Sequence, residues 1–386
     1  MNIVYCIDAT YNLSGTDIVS IAKANALAAI PGNKVWVVSA GDPCLLIKLL
    51  KQVSVTDLNV RYYQHDDKGL LASIIDLQIT KRKHKKRLKE FLEKVQPDVV
   101  ISSGVLTKTF LPHLKISSQP VFIRELHADR HYNRDSAKGV IRKAIALLGE
   151  LYDFHWKIHA YDKVVVLTEK ENSGSWKNWK KLAVIPNPVT HWTGVKSRCD
   201  EKIAISAGRL APMKNFVGLI NIWAKVVKQH PDWVLQIWGT GDMQQTLETQ
   251  IKQLGLERHV CLMGYTNNIS EKMSQASLMV LTSRSESFSL VTLEAMSVGL
   301  PTIVYNCPGG ISSLVKDGET GYLVPLDDED CFAERVCQLI EDSELRKKMG
   351  AACAKESKKY CIENIIPQWM SLFEELLAKK RKHKSA

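Results

Sequence analysis

Short runs of apolar, β-branched residues recur along this chain, each closing in a polar or glycine-rich turn and each separated from the next by enough residues for a helix. In the first half the runs fall at 3–7, 34–38, 98–101, 121–123 and 164–167; in the second they fall at 203–206, 234–238, 260–263, 278–282 and 302–305. Unbroken apolar runs belong to strands buried on both faces, which is the situation in a parallel sheet covered by its own crossover helices. Such units close with one hand. The alternation therefore predicts an α/β chain of two Rossmann-like, doubly wound domains with a cleft between them. A length of 386 residues agrees, since it exceeds what one hydrophobic core usually serves. The stretch 186–194, PNPVTHWTG, closes the first set of runs and precedes a polar segment, which puts the boundary near 190.

Composition narrows the function. With 45% hydrophobic and 24% charged residues the chain reads as globular. No apolar run approaches the roughly 20 residues of a bilayer-spanning helix. The first residues read as a buried strand with no basic n-region, so a cytoplasmic location is expected. Nine cysteines show no CxxC pair and no metal-ligand spacing, which suits reduced core thiols. The net charge of +11 points to an anionic partner. Much of it lies in two clusters, KRKHKKRLK at 81–89 and KKRKHK at 379–384. Neither is interleaved with aromatic residues, so nucleic acid is not expected, whereas an anionic membrane surface is a candidate and a plain solvated face is the alternative.

In an open parallel sheet, ligands bind beyond the carboxyl ends of the strands. The chemically loaded residues of the second half cluster there: Gly208-Arg209, Gly239-Thr240-Gly241, Gly264-Tyr265-Thr266, the segment 283–288, and 306–310. Arg209 and Lys214 flank Pro212 in a turn entering a helical pattern, and two cations beside a helix start suit a diphosphate. Glu286 lies in the loop before a second helix pattern that ends near Gly299, with Glu294 about one turn inside it. Ser287 or Ser289 is a candidate cap for that helix. The free amides around Phe288, Ser289 and Leu290 suit phosphate oxygens. Carboxylates beside an anion site are tolerable where they bind hydroxyls, which makes a sugar and a ribose their natural partners. Gly239-Thr240-Gly241 alone fits a tight turn as well as a nucleotide site.

These motifs carry a resemblance. Glu286 followed after seven residues by Glu294, together with Gly208-Arg209, Lys214, Pro308-Gly309-Gly310 and DGETGYLV at 317–324, is similar to family 4 of the retaining glycosyltransferases, of the GT-B fold. The similarity is dense from about 203 to 325 and thinner before it, where DKVVVLT at 162–168 and VIPNP at 184–188 carry it. It implies that Arg209 and Lys214 contact the donor diphosphate, that Glu286 meets the transferred sugar, and that Glu294 holds the ribose. It also implies a cleft histidine at His127 and a close backbone approach at Gly15. The family usually has glycines near the positions of Ser287 and Ser289, and a Gly-Gly turn where this chain has Ser14-Gly15-Thr16. The domains then read as an acceptor-binding 1–190, a nucleotide-sugar-binding 191–365, and a terminal helix with a basic tail, 366–386, packing back toward the first domain.

The expected reaction is retaining transfer of a sugar from a nucleoside diphosphate sugar, a UDP-sugar foremost, to a glycan or lipid-linked acceptor in cell-surface polysaccharide synthesis. No cofactor and no metal is expected, because protein cations and helix amides stand where diphosphate charge develops. An epimerase or phosphorylase on the same fold, or a non-catalytic nucleotide-sugar-binding subunit, remains the alternative.

Overall fold

The computed structural model describes residues 1–7, 15–39, 50–58, 70–104, 107–127, 140–170, 179–190 and 194–385. The chain forms two compact units. One comprises Met1–Leu167, Asn172–Pro188 and Ile362–Ala386; the other comprises Thr168–Glu171 and Val189–Cys361. The division thus falls within two residues of 190, while the last helix, Ile362–Ser385, begins ahead of 366.

The first unit is a seven-stranded parallel sheet of β1 (Asn2–Ile7), β2 (Lys34–Ser39), β3 (Ser54–Asp57), β4 (Val99–Ser102), β5 (Val121–Glu125), β6 (Lys163–Val166) and β7 (Leu182–Val184), in the order β3-β2-β1-β4-β5-β6-β7. Side chains alternate between its faces. Ile3, Tyr5, Ile7, Val35 and Val37 turn toward Leu27 of helix Gly15–Ala28 and toward Trp369 and Phe373 of helix Ile362–Ser385. Val4, Cys6, Val38, Val100 and Val164 turn the other way, onto Leu88 and Leu92 of helix Leu70–Val95. That helix carries the first basic cluster. His84 and Leu88 are buried on its inner side, while Arg82, Lys83, Lys85, Lys86 and Lys89 are exposed. Burial, with the His84 ring edge-on to Phe110, depresses its pKa to about 4.

The second unit is a six-stranded parallel sheet of β8 (Ile203–Ala207), β9 (Val234–Trp238), β10 (Val260–Gly264), β11 (Leu278–Leu281), β12 (Thr302–Tyr305) and β13 (Gly321–Val324), in the order β10-β9-β8-β11-β12-β13. Both orders reverse direction at their first strand, so each sheet has a switch point where loops diverge. Helix Phe216–Val226 shows why such a segment folds: Leu219, Ile220, Trp223 and Val226 repeat at three to four residues and are all fully buried, against Leu235, Ile237 and Phe332. No disulfide joins the described cysteines. Among the described residues no helix is long and apolar enough to cross a membrane.

Candidate functional site

The site of the second unit is assembled by three strand-end loops. After β8 the chain turns through Pro212–Lys214, a single helical turn, and enters helix Phe216–Val226. The loop after β11 lies on that turn: the Thr282 hydroxyl donates to the Asn215 carbonyl at 3.0 Å and the Arg284 amide to the Met213 carbonyl at 2.9 Å. These bonds bring Lys214 and Glu286, 72 residues apart, into an ion pair of 2.6 Å between Nζ and Oε1. Glu286 is buried and Lys214 half-buried.

The third loop, after β12, holds the Glu286 backbone. Its amide donates to the Pro308 carbonyl at 3.1 Å, and its carbonyl accepts from Gly310 at 2.7 Å. A side chain on Gly309 would place Cβ 2.1 Å from the Glu286 carbonyl oxygen, and one on Gly310 would place it 2.1 Å from that of Ser287. Pro308-Gly309-Gly310 is thus a backbone clamp on the Glu286 loop. Gly239 and Gly241 have a parallel role, since a Cβ there would meet the backbone of Gly208 at 1.9 Å and of Leu210 at 2.5 Å. Their glycines are required by close packing of the β9 loop on the β8 loop. Cys307, next to the clamp, is buried; burial, and after it the charge of Glu286, pushes its thiol up to about 12, so it is no nucleophile.

Helix Leu290–Ser297 starts where its sequence placed it, but not by side-chain capping. Ser289 occupies the N-cap position with φ +55° and ψ +77°, and its hydroxyl pairs with Thr292 Oγ1 at 2.8 Å rather than accepting a backbone amide. The left-handed backbone at Ser289 is one that glycine adopts without cost. Phe288 is buried with its ring edge-on to Tyr360, 5.7 Å between centroids, so its backbone is what the loop presents. Leu290 is the first helical residue. Glu294 is buried and accepts from the Thr190 hydroxyl at 3.0 Å. Thr190 sits in what the sequence marked only as a linker.

Arg209 and Tyr265 stand apart from this pair. The Arg209 side chain is 73% exposed and 3.7 Å from Asp242, a contact that constrains it little. Tyr265 is exposed beyond β10. Among the described residues no group of three or more His, Cys, Asp or Glu is placed to hold a metal ion.

In the first unit, Gly15 is the exposed first residue of helix Gly15–Ala28. His127 follows β5 with its Nε2 3.4 Å from Glu125 Oε1. Beneath it lies a buried ion pair, Glu125 with Lys23, and the Lys23 ammonium sits 4.8 Å over the Trp369 ring. Burial alone raises the Glu125 pKa; the charges of Lys23 and His127 outweigh it and bring it to about 2, which keeps the carboxylate ionised. Lys23 went unread in the sequence. The available signal was its position on the apolar stripe of Val19, Ala24 and Leu27, where a lysine needs a buried partner.

Two parallel sheets of this construction, with charged strand-end loops in the second, define the GT-B fold, and residues 194–356 match the family model described as "Glycosyl transferases group 1". The solved neighbours show the GT-B fold, and the family match lies within the second unit. Among particular proteins, it is 27% identical to an uncharacterized glycosyltransferase of Haemophilus influenzae over 93% of this chain and 96% of that protein. It is 34% identical to an exopolysaccharide phosphotransferase of Streptomyces coelicolor over 57% of this chain, but spans only 24% of that longer protein. Among solved structures, S. aureus TarM in complex with fondaparinux, alpha-GlcNAc-glycerol and UDP superposes with a TM-score of 0.75 at 15% identity, covering 96% of this chain and 99% of that one.

Proposed function

We propose that this chain is a retaining glycosyltransferase of the Glu-x7-Glu type, moving a sugar from a UDP-sugar to a hydroxyl of a glycan or lipid-linked acceptor during polysaccharide synthesis. The observation that carries the reading is the Lys214–Glu286 pair at the carboxyl end of the second sheet. It sets a cation and a carboxylate side by side, next to the first amides of helix Leu290–Ser297. A diphosphate recruits the cation and the amides. Glu286 then turns to the hydroxyls of the transferred sugar. Arg209, exposed and in only a long contact with Asp242, turns to the second phosphate. Glu294, held by the Thr190 hydroxyl, takes the ribose. UDP bound to S. aureus TarM supports the choice of nucleotide. The Streptomyces relative, named for exopolysaccharide, supports the pathway.

As the sugar–phosphate bond breaks, negative charge grows on the departing diphosphate, and Lys214, Arg209 and the helix amides, drawn onto it when the donor binds, stabilise that charge. His127, oriented by Glu125, serves the acceptor unit. Because the protein supplies the positive charge, turnover should survive chelation. The test is to measure UDP release from UDP-sugars with and without an acceptor, with and without EDTA, and to read the anomeric configuration of the product by NMR. The reading expects acceptor-dependent release, indifference to EDTA and a retained anomer. Conversion of the donor alone to another nucleotide sugar, or an inverted product, would reject it.

A further inference from the structure

The first unit exposes an apolar face that a water-facing surface does not need. Helix Val140–Tyr152 carries Leu147, Leu148, Leu151 and Tyr152 on one side and runs into the turn Asp153–Lys157, which carries Trp156. All five are exposed; Leu148 is 66% and Trp156 65% exposed, and Ile79 on helix Leu70–Val95 is 58% exposed. This is a built surface. Arg124, itself buried, grips Asp153 through two bonds of 2.9 and 2.6 Å and so fixes the turn that presents Trp156. Tyr152 and Trp156 lie 5.7 Å apart, and Lys157 covers the Tyr152 ring at 4.5 Å.

The rim is cationic. Lys143, exposed, is one turn before Leu147 on the same side of its helix. Lys157 is lowered in pKa by burial and then by the nearby charge of Lys81, which brings the basic helix to the edge of the patch. Arg82, Lys83 and Lys86 follow Ile79 at helical spacing on the outer face of that helix. The apolar helix has a single acidic residue, Glu150, and it is half-buried.

We propose that this face is a bilayer-docking surface, with Leu148, Tyr152 and Trp156 entering the interface of an anionic membrane and Lys81, Lys83, Lys86, Lys143 and Lys157 resting on its headgroups. Aromatic and leucine side chains flanked by lysines are the composition that binds at the headgroup boundary, where apolar burial and attraction to anionic lipid add. A second copy of the chain is the weaker occupant, because a two-fold contact would set this cationic rim against itself. The C-terminal cluster contributes less: Lys379 pairs with Glu375, and Lys380 donates to the Pro120 carbonyl at 2.7 Å. The surface goes beyond the proposed reaction, and explains only how a lipid-linked acceptor would be met.

The test is flotation of the full chain with phosphatidylglycerol-containing vesicles, and with phosphatidylcholine vesicles as the uncharged comparison. The native chain is expected to float with the anionic vesicles, and part of that binding survives high salt because part of it is apolar. L148S/W156S should weaken binding at least about tenfold and leave a remainder that salt removes; K83Q/K86Q should lower binding at low salt only. Native-like circular dichroism and urea unfolding midpoints in both variants verify that they are folded. Failure of the native chain to float, native-like flotation of L148S/W156S, or a shift of that variant from dimer to monomer by light scattering without vesicles would overturn the proposal. Flotation is read without donor or acceptor, so an inactive transferase would leave its outcome intact.

Discussion

Gly309→Ala isolates the backbone clamp that holds Glu286. The glycine has φ +106°, and a methyl added there meets the Glu286 carbonyl oxygen at 2.1 Å, where ordinary contact lies at 3.4–4 Å. The two loops must part by about an ångström, which breaks or stretches both bonds that join them, Glu286 to Pro308 and Gly310 to Glu286, at about 1 kcal/mol each. Backbone strain at a positive φ adds about 1–2 kcal/mol. The expected loss is therefore about 3–4 kcal/mol, or roughly 10 °C in the unfolding midpoint of a domain this size. Displacing Glu286 by that distance should also lower donor turnover by about 100-fold. Gly318→Ala is the control. It has φ +73° and nothing within 4 Å of the added carbon, so it should cost only the strain, about 1 kcal/mol, and leave turnover intact. Urea unfolding and donor turnover on both variants decide the matter. Equal stability of the two, or full activity in Gly309→Ala, would refute the clamp.

Ser289 separates backbone strain from hydrogen bonding: Ser289→Gly loses the bond to Thr292 but relieves φ +55°, while Ser289→Ala loses the bond and keeps the strain. The alanine variant should be the less stable by about 1–2 kcal/mol in urea, and equal stability would contradict the left-handed assignment. His84 predicts the acid response of the first unit. Its folded pKa of about 4 lies below its ordinary 6.5, so between those values the unfolded chain binds a proton that the folded one refuses, and stability falls with pH. About 2 kcal/mol should be lost between pH 7.5 and 5. His84→Leu should flatten that slope, and an unaltered slope would show that another group drives it; Glu125, depressed to about 2, acts only below its ordinary 4.5.

Most of the scaffold was readable because buried parallel strands are long apolar runs, and the ten runs marked in the sequence all lie on or overlap strands. The three missed strands lack that signature. Ser54–Asp57 is short and mostly polar, Leu182–Val184 has three residues, and Gly321–Val324 reads first as part of a turn motif. Among the site residues, the approach of Lys214 to Glu286 follows from topology, since adjacent central strands carry their loops. The Thr190 contact to Glu294 spans 104 residues and leaves no local pattern. Likewise Gly239-Thr240-Gly241 looked equally like a turn or a nucleotide loop, because the backbone of Gly208 that requires its glycine is 31 residues away in sequence. Ser289 misled for a physical reason: serine before a helix predicts a cap, but a left-handed backbone points the hydroxyl into the helix, at Thr292.

A second unit that binds a nucleoside diphosphate through its phosphates and ribose, with Glu286 reserved for the sugar, should lose nucleotide affinity at Glu294 but not at Glu286. Isothermal titration of UDP into the full chain, Glu286→Gln and Glu294→Ala measures this. Saturable binding is expected for the native chain, affinity within about threefold of native for Glu286→Gln, and at least about tenfold weaker binding for Glu294→Ala, since a buried charge-assisted bond to a hydroxyl is removed. Absence of binding to the native chain, or equal affinity for Glu294→Ala, would contradict it.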